Sequence, residues 1–184
     1  ITLGSGGSVV NAGGGANTVT VGAANDGVQN DDITTGNGND RIRSLDARLS
    51  SHLEIDAGLG SDTLELTSDV SLLDADFTNL TNIEVLELGF NAADDAQSIV
   101  VGSHALAMGL LTIDGSSIGS SDSVSIDASA FTGSLTVDLD GDLNVITLGT
   151  GGSNVLTRGG NDTITVGVST DIINTGLGSD VINV

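Results

Sequence analysis

Residues Leu148–Asn183 read, without a gap, as LGTGGSNVL (Leu148–Leu156), TRGGNDTIT (Thr157–Thr165), VGVSTDIIN (Val166–Asn174) and TGLGSDVIN (Thr175–Asn183). Each nine-residue unit opens on a polar, glycine-bearing turn and closes on a short aliphatic stretch bounded by polar residues, which reads as a strand. A strand of three or four residues buries too little to stand alone, so the units have to stack as the rungs of a coil. Two units make one rung with a turn on each side, and parallel stacking then sets every second turn above its predecessor.

The same units recur at the front of the chain, as Leu3–Asn11 (LGSGGSVVN), Ala12–Thr20 (AGGGANTVT), Asp26–Thr34 (DGVQNDDIT), Thr35–Arg43 (TGNGNDRIR) and Ala57–Glu65 (AGLGSDTLE). A longer repeat lies over them. Ile1–Gly22 matches Ile146–Gly167, and after five extra residues Asp31–Asp40 matches Asp171–Asp180, so the chain spans slightly more than one period of a tandem unit and is expected to come from a longer protein. One inward aliphatic position can be followed throughout, as Val10, Val19, Ile33, Ile42, Ile55, Leu64, Leu86, Val100, Ile113, Ile126, Val137, Ile146, Val155, Ile164, Ile173 and Ile182. Second inward aliphatics are expected two positions away, as with Leu88, Leu111 and Val124. The last five steps are nine residues each, whereas those in the middle are longer and uneven. Wider turns are therefore expected there, with an excursion around Phe77 and Leu80 and a helical turn within Ser103–Leu110. The expected organisation is a regular block over 1–65, irregular coils over 66–138 and a second regular block over 139–184.

Composition narrows the chemistry. Twenty-five acidic residues face four arginines and no lysine, a formal charge of -21, which argues against nucleic acid or an anionic membrane as partner and makes divalent cations the natural counter-charge. All but Glu54, Glu65, Glu84 and Glu87 of the acids are Asp, a turn residue and a hard-cation ligand. With 38% hydrophobic residues but three Phe and no Trp or Tyr, the core is a stack of small aliphatics. Zero cysteine excludes disulfides and thiolate sites, and the absence of proline leaves strand ladders uninterrupted. No apolar run is long enough to span a bilayer.

In the turns, glycine permits positive φ and lets carbonyl oxygens crowd inward, as at Gly176 and Gly178 or at Gly160, and Asp adds a charged oxygen where turn meets strand. Stacking at two units per rung sets Asp162 and Asp180 one rung apart on one edge. Facing carboxylates repel, so a hard cation with many irregular oxygen ligands, calcium before magnesium, makes the arrangement favourable. If Ser44–Ala47 bulge outward, Asn17, Asp40 and Asp62 line up in the same way.

These units resemble the nonapeptide G-G-x-G-x-D-x-U-x of the RTX calcium-binding repeat family, in which U is a large aliphatic residue. The resemblance covers more than half of the chain, and its strength is that the motif recurs in register. It implies an all-β, right-handed parallel β-roll or β-helix solenoid, here of about eight rungs. It further implies that the sixth-place acids Asp31, Asp40, Asp62, Asp162, Asp171 and Asp180, with Asn17 as an equivalent, bind Ca2+ together with main-chain oxygens of turns such as Gly36, Gly38, Gly58, Gly60, Gly160, Gly176 and Gly178. Ser8, Ser153 and Asn144 take the sixth place elsewhere and Arg158 replaces a turn glycine, so those turns are expected to be empty or weak. The middle coils, with Asn82-Ile83-Glu84-Val85-Leu86 and Ile126-Asp127-Ala128-Ser129, resemble the calcium-poor rungs of bacterial S-layer and adhesin-type proteins.

Other motifs carry less. Asp138-Leu139-Asp140-Gly141-Asp142 begins like an EF-hand loop but has Gly149 where the bidentate Glu belongs, and reads as an acidic turn. His52 and His104 lack a metal-spaced partner, and Asp94-Asp95 and Asp74/Asp76 read as solvated loop. No nucleophile motif is present, so a non-catalytic role is expected: an extracellular module of a bacterial S-layer, filament or large adhesin, stiffened by calcium and joined to copies of itself or adjacent tandem repeats, without membrane insertion. The alternatives are a calcium-binding module of a secreted enzyme or toxin, or an ice- or glycan-binding segment. Ice binding would require Thr at one outward place in every rung.

Overall fold

The computed structural model describes residues 1–4, 6–22, 30–45, 49, 53–68, 70–89, 96–119, 121–141 and 143–184. In chain order the first strands are β1 (Val9–Asn11), β2 (Thr18–Thr20), β3 (Asp31–Thr34), β4 (Arg41–Ser44), β5 (Leu53–Asp56), β6 (Thr63–Leu66), β7 (Ser71–Leu72), β8 (Leu80–Thr81) and β9 (Val85–Leu88). They are followed by β10 (Ala96–Val100), the helix α1 (Ser103–Met108), β11 (Thr112–Gly115), β12 (Ser123–Asp127), β13 (Thr136–Leu139), β14 (Leu143–Thr147), β15 (Asn154–Leu156), β16 (Thr163–Thr165), β17 (Ile172–Asn174) and β18 (Val181–Asn183). Every pairing among these strands is parallel, and the chain winds as a right-handed β-solenoid of about seven turns.

One sheet of eight strands, β2-β4-β6-β9-β11-β13-β15-β17, runs the whole length. Its inward column, Val19, Ile42, Leu64, Leu86, Ile113, Val137, Val155 and Ile173, is in register from end to end. A four-stranded sheet, β1-β3-β5-β8, completes the front coils, and a six-stranded sheet, β7-β10-β12-β14-β16-β18, completes the rear ones. The rung of two nine-residue units holds only at the rear, where Val137, Val155 and Ile173 stack. At the front Val19 stacks on Ile42 and Ile42 on Leu64, so each coil there is longer than two units.

In the middle the coil becomes three-sided, because β7, β8 and β9 each join a different sheet. The excursion expected around Phe77 and Leu80 is a 3-10 turn, Asp74–Phe77, leading into β8, and both residues are buried in the core. In the next coil α1 takes the third side and packs against that turn and β8. Here the coil is wide enough for Phe77, Met108 and Phe131, all about 1% exposed, whereas after Thr147 the only buried hydrophobic residues among those described are Leu148, Val155 and Ile164.

Two expected inward positions are corrected. Ile99, not Val100, faces the core, paired in register with Ile126. Leu111 points outward at 55% exposure, and Leu110 is buried in its stead. At the rear end Ile182 is 47% exposed, since its coil has a neighbour on one side only.

Candidate metal centre

The sixth-place residues are the first point at which each turn meets its strand, and the structure stacks them in four ladders. At the front, the main-chain N–H of Asn17 donates to Asp40 Oδ1 (2.6 Å), that of Asp40 to Asp62 Oδ1 (2.7 Å), and that of Asp62 to Glu84 Oε2 (2.8 Å). At the rear, Asn144 N–H donates to Asp162 Oδ1 (2.9 Å) and Asp162 N–H to Asp180 Oδ1 (3.0 Å). Two shorter ladders join Ser8 to Asp31 (2.9 Å) and Ser153 to Asp171 (2.8 Å). The rule is uniform: a carboxylate accepts from the residue one rung nearer the N-terminus.

That rule explains the departures from the nonapeptide. An acid in the sixth place needs a regular rung before it to supply its N–H. Each ladder accordingly starts with a neutral residue, Ser8, Asn17, Asn144 or Ser153, and Asn17 and Asn144 add a side-chain amide bond to the following Asp (3.0 and 2.9 Å). These four positions are the first members of the ladders.

Using Oδ1 in the ladder leaves Oδ2. In Asp40, Asp62, Asp162 and Asp171 this atom is buried and has no hydrogen-bond partner, as has Asn144 Oδ1. Asp40, Asp62 and Asp162 are at most 1% exposed. A buried carboxylate oxygen without a partner is costly, and burial pushes the Asp62 carboxyl above its ordinary value, with Glu84 and Asp40 pushing the same way against the Asp40 N–H bond.

The glycine turns bring main-chain oxygens close to one another. A Cβ on Gly58 would lie 1.9 Å from Gly36 O, one on Gly60 2.0 Å from Gly38 O and one on Gly36 2.2 Å from Gly13 O. At the rear Gly176 and Gly178 stand equally close to Arg158 O and Gly160 O. The buried first-place threonines stitch the same edge, Thr35 Oγ1 to Ala57 O (2.8 Å) and Thr157 Oγ1 to Thr175 O (3.3 Å). Among the described residues no three His, Asp or Glu side chains converge, so an ion here would be held by single carboxylate oxygens together with turn carbonyls.

The two best pairs lie at opposite ends of the eight-stranded sheet. Asp40 and Asp62 precede β4 and β6, whereas the turns carrying Asp162 and Asp180 leave β15 and β17 for the six-stranded sheet.

Comparison with family models, curated proteins and solved structures gives no match.

Three groups were missed from the sequence. Glu84 extends the front ladder from a coil without a glycine turn, and its signal is its interval from Asp62, the same as that from Asp40 to Asp62. Asp74, expected in a solvated loop, instead accepts from the N–H groups of Gly102 (2.7 Å), His104 (3.1 Å) and Ala105 (3.0 Å), tying α1 to the 3-10 turn. Burial opposes its ionisation, but these bonds and His104 Nδ1 prevail and hold the carboxyl below its usual range. His104 is thus a half-exposed partner of Asp74. Third, Arg43, Glu65, Glu87, Asp114 and Asp138 fall in register on the outer face of the eight-stranded sheet. Arg41 bridges Glu65 and Glu87, Arg43 pairs with Glu65, and Arg158 takes Asp138 in a two-pronged bond (2.8 and 2.9 Å). On that face Thr18, Thr63, Thr112 and Thr136 share a column with Arg41, Val85, Asn154 and Ile172, so Thr does not fill one outward place in every rung. His52, Asp94, Asp95, Asp142 and part of the Ser44–Ala47 bulge lie outside the described residues.

Proposed function

We propose that this chain is a calcium-binding structural module of a secreted bacterial surface assembly, non-catalytic, in which ions between rungs complete the fold. The observation that carries the reading is the set of buried, unpartnered Oδ2 atoms of Asp40, Asp62, Asp162 and Asp171 in a chain of net charge -21. A hard divalent cation is the partner such oxygens accept without a proton, and turn carbonyls supply the irregular, oxygen-only surroundings that suit calcium better than magnesium. The residues that would hold it are Asp40 and Asp62 with the turns of Gly36, Gly38, Gly58 and Gly60, Asp162 and Asp180 with those of Gly160, Gly176 and Gly178, and Asp171 in its own ladder with Ser153. Asp31 completes the shorter front ladder.

The mechanism is metal-coupled folding. Without ions the ladders bury uncompensated charge; with them, binding free energy becomes folding free energy. Extracellular calcium modules bind at about 10⁻⁴–10⁻³ M, and an affinity in that range would leave the ion sites empty inside a cell and fill them outside. The assembly half of the proposal rests on the nonapeptide resemblance and on the recurrence of Ile1–Gly22 as Ile146–Gly167, which suits tandem copies sharing one continuous core. Calcium titration followed by calorimetry and far-UV circular dichroism, with magnesium as control, is the test. Gain of β signal and heat at millimolar calcium, reduced in Asp62→Asn and Asp162→Asn, is expected. Neither heat nor spectral change in the parent chain would end the reading.

A further inference from the structure

We propose that the coils from β6 to β14 form a hub that folds without metal, onto which ions fasten the front coils and the rear coils separately. This rests on the ladders being ion sites, but it assigns the ions a narrower task than folding the whole chain.

The partition follows from where cost and compensation lie. Every buried carboxylate oxygen without a partner among the described residues belongs to Asp40, Asp62, Asp162 or Asp171, outside or at the borders of the hub. The other orphaned side-chain atoms within it belong to Gln97 and to Asn144 at its rear border, both neutral amides that bring no charge to be compensated. Inside the hub several of the described acids are answered by the protein itself. Arg41 and Arg43 reach from β4 to Glu65 and Glu87, Arg158 reaches back from the rear block to Asp138, Asp114 accepts from Ser116 N–H and Oγ (3.0 and 2.7 Å), and Asp74 holds three main-chain amides of α1. All three described arginines therefore serve one outer column, so a chain with almost no cations commits them to the middle. Most buried hydrophobic residues are there too, including Phe77, Leu86, Leu88, Met108 and Phe131, in a three-sided coil with a helix on one side. The rear coils are the narrowest, with three buried aliphatics and an open last rung that leaves the inward Ile182 exposed. Local stability tracks buried apolar contact and satisfied polar groups, and both point to the middle.

Hydrogen exchange of the full chain, read by mass spectrometry in excess chelator and in millimolar calcium, tests this. In chelator, amides of β9, β11 and β13 are expected to exchange at least ~100-fold more slowly than those of β16 and β18, and calcium is expected to slow the front and rear strands while leaving the hub little changed. Glu65→Gln, which removes the anion shared by Arg41 and Arg43, is expected to speed hub exchange in chelator about tenfold without abolishing the calcium response of β16. A hub that exchanges as fast as the ends in chelator and is protected only with calcium overturns the inference and leaves the ion reading standing. Equal protection everywhere with and without calcium overturns the ion reading itself.

Discussion

The front ladder, Asn17-Asp40-Asp62-Glu84, and the rear ladder, Asn144-Asp162-Asp180, use the same bond from a main-chain N–H to the next carboxylate, yet they sit in coils of different width and at opposite ends of the eight-stranded sheet. The front ladder steps by 23 and then 22 positions along the chain, the rear ladder by 18. What the two share is therefore the turn, not the rung. The stretch from the first-place Thr or Ala to the sixth-place acid fixes the hydrogen bonding, and the rest of the coil is free to lengthen.

The largest expected effect tests that claim at a turn. Gly58 has φ 90° and its Cβ would lie 1.9 Å from a main-chain oxygen, so Gly58→Ala combines left-handed strain with a backbone clash, about 3 kcal/mol together. Gly159→Ala places its Cβ 3.7 Å from Leu177 O, an ordinary contact, and is expected to be nearly neutral. Denaturant unfolding in calcium measures both. Equal costs would mean that the stacked turns do not govern stability.

How far the sequence could be read follows the same division. The turns were legible because glycine and Asp mark fixed places; the register of Asp162 with Asp180 followed from spacing alone, whereas that of Asp40 with Asp62 required a bulge at Ser44–Ala47. The middle was not, because its turns lack those markers. In Ile99-Val100-Val101 a continuous aliphatic run carries no period-two phase, and the inward neighbour that could set it is the polar Gln97, 2% exposed. Leu110-Leu111 hides its phase in the same way. The three-sided coil was invisible for a different reason: β7 and β8 are two residues each, shorter than any pattern can resolve. The charged outer column depends on register between strands a full coil apart in the chain, which nothing local encodes.

An effect of intermediate size comes from pH, where ladder and middle have opposite signs. Asp62 is raised in the folded chain, so without metal its burial destabilises the fold at neutral pH and that penalty is relieved as pH falls through its raised value. Burial raises Glu65, but its bonds from Arg43 and Arg41 outweigh this and hold it low, and Asp74 is held low as well; their contribution is present above the ordinary carboxylate value and lost as pH falls through it and then through the depressed value. In chelator, mild acidification is thus expected to raise the thermal midpoint slightly before stronger acid lowers it, and Asp62→Asn is expected to flatten the rise. In calcium the rise is replaced by weaker ion binding, because protons compete for the same oxygen. A metal-free midpoint that only falls from neutral pH downward would contradict the assignment of Asp62.

The smallest effect concerns Arg158, which stands where the other turns have Gly13, Gly36, Gly58 and Gly176 and adopts φ 60°, close to their left-handed region. Its guanidinium reaches one rung back to Asp138, with 44% and 32% of the two side chains exposed. An exposed pair of this kind contributes up to about 1 kcal/mol, and relieving a left-handed non-glycine residue returns about as much. Arg158→Gly is therefore expected to leave calorimetric stability in calcium within about 1 kcal/mol of the parent. The ion pair and the turn are nevertheless separable. In chelator, the substitution removes the only arginine that ties the rear coils to the middle among the described residues, and β16 is expected to lose what residual protection it has. If stability in calcium instead fell by more than ~2 kcal/mol, Arg158 would be part of the ladder's own construction, and the rear turns would differ from the front ones in kind as well as in spacing.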